Sequence, residues 1–286
     1  MAHALLSNKS LNNIAKAAGL LGAFAYAAGV ASIYCRQDRL LLHPDASFYP
    51  DEADHPLFTL TTWENEQRYM GLIAEPRDVA PIGTILYFHG NAGHVSHRAY
   101  ALKALTAFGY RVVLAEYPGF GKRLGEPTTG NCLAHALSDL NHALSLWGTR
   151  RFFVMGESFG GGIAAQVVAS APEDVDGVVL FTPWNSLTDL VKEKMPFLPA
   201  RLVLRTKMDS GVALSRYKGP IVIVAAGQDA VIPPTHAKSL AAMLPNATYM
   251  ELPGSAHGAW MAHMDQHRWN DVIRQIDPPT QLALTL

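Results

Sequence analysis

The sequence predicts an α/β fold: a mostly parallel sheet with helices on both faces, an antiparallel edge hairpin and a small helical insertion. Three observations predict it. Apolar, β-rich runs of five or six residues alternate with helical patterns from Thr84 onward. Those runs are apolar nearly throughout rather than at every second residue, as expected of strands buried on both faces. One of them, Phe152-Phe-Val-Met155, ends in Gly156-Glu-Ser158-Phe-Gly160 and passes into an Ala/Val-rich helical stretch. Strand, sharp turn and helix form the setting in which a serine can be lifted clear of a sheet.

At 286 residues with 49% hydrophobic content, the chain is long enough for one sizeable domain with a full core. Charged residues are 16% and the formal net charge is −1, so no electrostatic case exists for nucleic acid as a partner. The two cysteines, Cys35 and Cys132, do not make a disulfide framework.

The elements follow in order. Ala17 to Tyr34 carries no charge and is just long enough to cross a bilayer core of about 30 Å. Three readings stand for it: a single-pass membrane anchor, a buried or interfacial helix, or a cleaved signal peptide. In the last case Lys9 and Lys16 form the positive end, Ala25-Tyr-Ala27 the cleavage site, and the product is secreted or periplasmic. Basic residues flank both ends, Lys9 and Lys16 before and Arg36 and Arg39 after, so charge does not orient it. The domain division is therefore 1–36 as the N-terminal segment and 37–286 as the enzyme-like domain.

Residues 36–57, polar and punctuated by Pro44, Pro50 and Pro56, read as a linker. Phe58 to Trp63 and Arg68 to Ala74 read as the edge hairpin. Strands are expected at 84–89, 111–115, 152–156, 177–181, 221–225 and 248–252. Helices are expected at 98–108, 131–147, after the glycine turn, at 235–243, and from 259 to 274. Residues 183–218 break this rhythm: they hold Trp184, Leu187, Leu190, Met195-Pro-Phe-Leu-Pro199 and Leu202-Val-Leu204 without a strand pattern. They read as a cap-like helical insertion over the strand ends, shielding the site and shaping an apolar pocket.

In parallel sheets, ligands bind beyond the carboxyl ends of the strands. The residues there carry the chemistry. Ser158 occupies the tight turn; Gly156 and Gly160 remove side chains that would collide with the neighbouring strand and helix. Asp229 follows the 221–225 strand and His257 follows the 248–252 strand. Ser158 as nucleophile, His257 as proton acceptor and donor, and Asp229 as the group that fixes the imidazole tautomer match the Ser–Asp–His chain order. His89-Gly-Asn-Ala-Gly93 exposes backbone N–H groups. Those of Asn91 and Phe159 are expected to hold an oxyanion.

Other residues carry less. Asp189 and Asp209 are rival acids, but both lie in the insertion. Glu116 is expected to order the Tyr117–Gly121 turn, His89 to serve as a hydrogen-bonding scaffold, and Glu157 to be structural or pocket-lining. Histidines 89, 94 and 97, and 257, 263 and 267, have zinc-like spacings without a closed set of four ligands. No metal site is assigned. Gly119-x-Gly121-x-x-x-Gly125 misses the dinucleotide spacing.

These segments together make the chain resemble the α/β-hydrolases of the Bem46/ABHD type, small serine hydrolases often carrying one N-terminal membrane helix. The resemblance runs through Asp38-Arg-Leu-Leu-Leu-His-Pro44, His89-Gly-Asn-Ala-Gly93, Glu116-Tyr-Pro-Gly-Phe-Gly121, Gly125-Glu-Pro-Thr128, Gly156-Glu-Ser-Phe-Gly-Gly161, Thr182-Pro-Trp-Asn-Ser-Leu187, Met195-Pro-Phe-Leu-Pro199, Asp209-Ser210 and Gly227-Gln-Asp-Ala-Val-Ile-Pro233. This chain has Arg123 where the family often has Ser, and Gly258-Ala259 where it often has Asn-Asp. The resemblance implies a Ser158–Asp229–His257 triad and an Asn91/Phe159 oxyanion hole. It also implies hydrolysis of an ester or thioester without metal or organic cofactor. The implied partners are a small-molecule or lipid-like acyl substrate and a membrane, reached through the N-terminal helix. Two other functions use or discard the same residues: a peptidase or acyltransferase on the same triad, and an inactive membrane-tethered interaction protein.

Overall fold

The structure is a computed structural model that describes residues 8–47 and 57–278. Pro50 and Pro56 of the expected linker lie outside the described residues.

In chain order the elements are α1 (Asn8–Leu41), β1 (His43–Pro44), β2 (Phe58–Asn65), β3 (Arg68–Pro76), β4 (Gly83–Phe88) and β5 (Ala92–Gly93). A short 3-10 turn, Val95–Arg98, leads into α2 (Ala99–Ala107). Then come β6 (Tyr110–Ala115), α3 (Thr129–Trp147), β7 (Phe152–Glu157), α4 (Phe159–Ser170) and β8 (Gly177–Phe181). The insertion supplies α5 (Leu187–Lys194), α6 (Ala200–Val203) and α7 (Ser210–Leu214). The chain continues with β9 (Ile221–Ala226), α8 (Pro234–Met243), β10 (Ala247–Leu252), a 3-10 segment His257–His263, and α9 (Gln266–Ile276).

Eight strands form the main sheet in the order β10-β9-β8-β7-β4-β6-β3-β2. Six are mutually parallel; β3 runs antiparallel to both β2 and β6. The apolar runs are continuous because alternate residues feed two cores. Leu86, Phe88, Val154, Val178 and Ile223 pack under α3, α4 and α8. Ile85, Tyr87, Met155, Val179 and Val224 pack under α2 and α9. At about 0.8 kcal/mol per buried methylene, this two-sided burial is a main source of the sheet's stability.

Three differences from the sequence reading have physical causes. The expected helix over 259–274 divides at Met264–Asp265. Asp265 accepts a hydrogen bond from the Arg268 N–H and caps a new helix, α9, after the 3-10 turn. The expected linker at 36–42 is helical through Leu41, because its polar side chains find partners on the domain. The Gln37 amide donates to the Val203 carbonyl, and Asp38 accepts from the N–H and hydroxyl of Thr129. Finally, β1 and β5 form a two-residue parallel ladder, His43 with Ala92 and Pro44 with Gly93, far too short to leave a periodic signal.

Candidate active site

The turn after β7 is built as its glycines require. Ser158 has φ 53° and ψ −116°, a sparsely populated conformation for a residue with a side chain. A Cβ on Gly160 would lie 2.2 Å from the Phe88 carbonyl oxygen, and one on Gly156 would lie 2.2 Å from that of Gly160. Only glycine lets β4, β7 and α4 approach this closely. The Ser158 N–H donates to the Phe181 carbonyl, fixing the turn to β8.

Three side chains meet above this turn. The Ser158 hydroxyl lies 2.8 Å from His257 Nε2, and His257 Nδ1 lies 2.6 Å from Asp229 Oδ2. The carboxylate can only accept, so Nδ1 carries the proton and Nε2 accepts from the serine hydroxyl. The other Asp229 oxygen accepts from the N–H groups of Val231 and Ile232 at 2.9 and 2.8 Å. Asp229 is thereby held from two sides while its side chain is 1% exposed. A hydroxyl, imidazole and carboxylate so aligned can move a proton off the hydroxyl at the moment it attacks.

The rival acids are elsewhere. Asp209 caps α7 by accepting from the Val212 N–H, and Asp189 pairs with Lys192 on the surface.

Asn91 sits in the turn after β4. Its side-chain amide donates to the Leu41 carbonyl, and its own carbonyl accepts from the His43 N–H. The neighbouring Gly90 N–H is taken up by Glu157. Phe159 is the first residue of α4, where a helix N–H has no carbonyl one turn behind it and the helix dipole is positive. Its ring is buried against Tyr117.

Beside the serine lies a cleft of about 260 Å³, walled by Asn91, Arg98 and Tyr100 on one side and His257, Trp260 and Met261 on the other. No residue of α5, α6 or α7 lines it; its walls are the turn after β4, the 3-10 turn and start of α2 that follow, and the 3-10 segment that begins at His257. The expectation that the insertion shapes this pocket gives way to that finding. Glu157 forms its floor. It accepts from Gly90 N–H, the Arg98 guanidinium and the hydroxyls of Tyr87 and Tyr100. Burial pushes the Glu157 carboxyl up, but the Arg98 charge and the donors around it win and hold it below the usual carboxylate range. The same burial, with Glu157 beside them, raises the Tyr87 and Tyr100 hydroxyls.

Beneath the turn, His89 donates to the buried Glu116 at 2.8 Å, and Glu116 also accepts from the Val95 N–H. Arg123 reaches back to the Glu116 carbonyl and grips Asp139 with both nitrogens. Asp139 is nonetheless raised, because its burial outweighs the guanidinium. The two zinc-like spacings do not close. Histidine 89 goes to Glu116, while the His94 and His97 rings lie 3.8 Å apart, tilted by 35°. Asp45 lies with this pair, the ligand atoms within 4.8 Å of one another, so these three are the described residues that could hold a metal ion.

Sequence reading missed Thr182, Arg98, Tyr100 and Trp260. Thr182 could have been found: it directly follows β8, where a parallel sheet presents its ligands. It has φ 47°, lines the cleft, and its buried hydroxyl has no partner among the described residues.

With this geometry, the comparisons fall into place. A family model described as serine aminopeptidase, S33, matches residues 79–213. The α/β hydrolase domain-containing protein WAV2 of Arabidopsis thaliana is 27% identical over 200 residues, 63% of this chain and 65% of that protein. Lysophosphatidylserine lipase ABHD12 of Macaca fascicularis is 29% identical over 135 residues, 46% of this chain and 34% of the relative. The chain thus spans less than two thirds of the curated relatives it matches. An esterase of Pyrococcus furiosus shares the fold with a TM-score of 0.64 at 15% identity, over 81% of this chain and 96% of that one. The class is the α/β-hydrolase fold. Within it, the chain is similar to hydrolases of the Bem46/ABHD type.

Proposed function

We propose that this hydrolase is a membrane-tethered serine hydrolase that cleaves an apolar acyl ester or thioester through an acyl-enzyme. The observation that carries the reading is the unbroken hydrogen-bond chain from Asp229 through His257 to Ser158 at the edge of the cleft. Ser158 Oγ attacks the acyl carbonyl while His257 Nε2 takes its proton. The N–H groups of Asn91 and Phe159 hold the oxyanion, and Asp229 steadies the imidazolium. The tetrahedral centre collapses, the leaving alkoxide or thiolate takes the proton from His257, and the acyl group stays on Ser158. Water, deprotonated by the same imidazole, then releases the acid.

Trp260, Met261 and Tyr100 give the cleft its apolar faces, which suits an acyl chain. The name of the lipase relative points the same way. The tether is α1. Its stretch Leu11–Leu41 is long and apolar enough to cross a bilayer, and its most apolar window of 18 residues has none buried against the domain. Residues 37–286 then form the hydrolase domain, with 183–218 as its insertion. The description of the family model favours a second reading, hydrolysis of a peptide bond by the same residues.

The wild-type chain should label with a fluorophosphonate probe and Ser158→Ala should not. Labelling that persists in Ser158→Ala, with the fold intact by circular dichroism, overturns the assignment. Product analysis with matched ester, thioester and amide substrates separates the two readings.

A further inference from the structure

The apolar side chains of the insertion are not spent on the cleft. Phe197 is 63% exposed, Leu202 81% and Met195 36%, all on the segment that contains α6. That segment leans on α1. The Tyr26 hydroxyl donates to the Phe197 carbonyl at 2.8 Å. Farther along, Gln37 bonds both the Val203 carbonyl and the Arg205 N–H, and the Arg205 guanidinium lies over the Tyr34 ring and pairs with Asp38. Five contacts over three turns of α1 hold the segment at a fixed height along the helix.

That height can be worked out. The uncharged run of α1 ends at Tyr34, and Tyr26 lies eight residues earlier, about 12 Å at 1.5 Å per residue. If the run fills the bilayer core, a backbone hydrogen-bonded to Tyr26 sits on the order of 10 Å inside the boundary marked by Tyr34 and Arg205. That is the depth at which the apolar face of an interfacial helix rests. Composition agrees. From Met195 to Met208 there is no acidic residue, against Arg201, Arg205 and Lys207, all exposed. Long basic side chains beside exposed Phe and Leu suit an apolar body in lipid with cationic heads at anionic headgroups.

We infer that Met195–Leu204 is a second membrane contact, seated in the same leaflet boundary as α1, and that its partner is an anionic lipid surface. It rests on the reading of α1 as a membrane tether. Two things follow. The domain is held by two attachments rather than one, so it cannot swing freely about the helix. The apolar cleft of about 190 Å³ between α1 and the insertion, walled by Ile33, Leu40, Val191, Leu198 and Val203, opens beside lipid rather than water.

The test uses the full chain in vesicles of phosphatidylcholine with phosphatidylglycerol. In a Cys35→Ser background, where the remaining Cys132 is buried, an NBD label is placed singly at Leu202→Cys, Leu21→Cys on α1, or Glu173→Cys on the far surface. Doxyl-labelled lipids should quench Leu202→Cys and Leu21→Cys and spare Glu173→Cys. Quenching at Leu21 but not Leu202 overturns the second contact while leaving the tether standing. Quenching at neither overturns the tether and the inference with it. A functional arm is independent of labels. Phe197→Asp with Leu202→Asp should lower kcat/KM about tenfold or more on an ester presented in vesicles. Hydrolysis of a short water-soluble ester should not change. An equal loss on both substrates refutes a role at the membrane.

Discussion

Replacing Asp229 by Asn tests the proposed mechanism with almost no change of shape. The outcome can be worked out from its hydrogen bonds. Oδ1 accepts from two backbone N–H groups, of Val231 and Ile232. An amide NH2 placed there would face two donors, so the Asn oxygen takes that position and its NH2 points at His257 Nδ1. The imidazole must then accept at Nδ1 and carry its proton on Nε2, the nitrogen 2.8 Å from Ser158. In that tautomer it cannot take the serine proton. The expected loss is about 10^4-fold in kcat, or about 5.4 kcal/mol at 1.36 kcal/mol per tenfold. KM should change little, since Asp229 does not line the cleft. Single-turnover acylation by a p-nitrophenyl ester reads the step directly, with thermal melting as the control for folding. Asp189→Asn, on the surface, should match wild type. A loss below about tenfold for Asp229→Asn, with an unchanged melting profile, would refute the tautomer argument and the assignment of Asp229.

Two other perturbations follow from buried acids. Glu157→Gln removes the charge that balances Arg98, whose side chain is 14% exposed; breaking a buried pair costs about 3–5 kcal/mol. The folded Glu157 carboxyl is held below its ordinary value, so its contribution is present above that value and is lost as pH falls through the lower one. Wild type should therefore lose stability on acidification below the ordinary carboxylate range, and the Glu157→Gln curve, read by denaturant melts from pH 3 to 7, should be flatter there. Asp38→Ala deprives the Thr129 N–H at the start of α3 of its acceptor and Arg205 of its partner. An unpaired buried amide costs about 1–3 kcal/mol, which for a domain of this size lowers Tm by about 2–12 °C; an unchanged Tm by differential scanning calorimetry would remove Asp38 from the account.

What was legible in the sequence follows from how each part is stabilised. The central strands could be read because burial on both faces leaves nearly continuous apolar runs. The positions of Ser158, Asp229 and His257 could be read because a parallel sheet puts all its strand ends on one side, so three distant residues could be placed together without knowing a single contact. The stretch Arg36-Gln-Asp-Arg39 was misread as linker for the opposite reason. Its polarity is answered by tertiary partners, Val203, Thr129 and Arg205, which local sequence does not reveal. The cleft walls were misassigned to the insertion because apolar residues there imply burial or contact of some kind without saying against what. Asp265 was a visible capping residue that a continuous amphipathic reading passed over.

The arm that follows α1 gives the proposed tether a place in the proposed chemistry. Four hydrogen bonds tie it to the turns around the serine: His43 N–H to the Asn91 carbonyl, Asp45 N–H to the Gly93 carbonyl, Asn91 side chain to the Leu41 carbonyl, and Gly121 N–H to the Asp45 carbonyl. Two of them grip Asn91 itself, at its carbonyl and its side chain. With those two ends held, the remaining group of Asn91 that can point into the cleft is its N–H, the proposed oxyanion donor. An oxyanion donor acts by being fixed before charge develops, and here the fixing is done by residues that continue directly from the apolar helix. Removing the helix together with this arm would therefore strip the turn of its supports as well as removing the proposed membrane tether. Cutting before Tyr34 would do only the second.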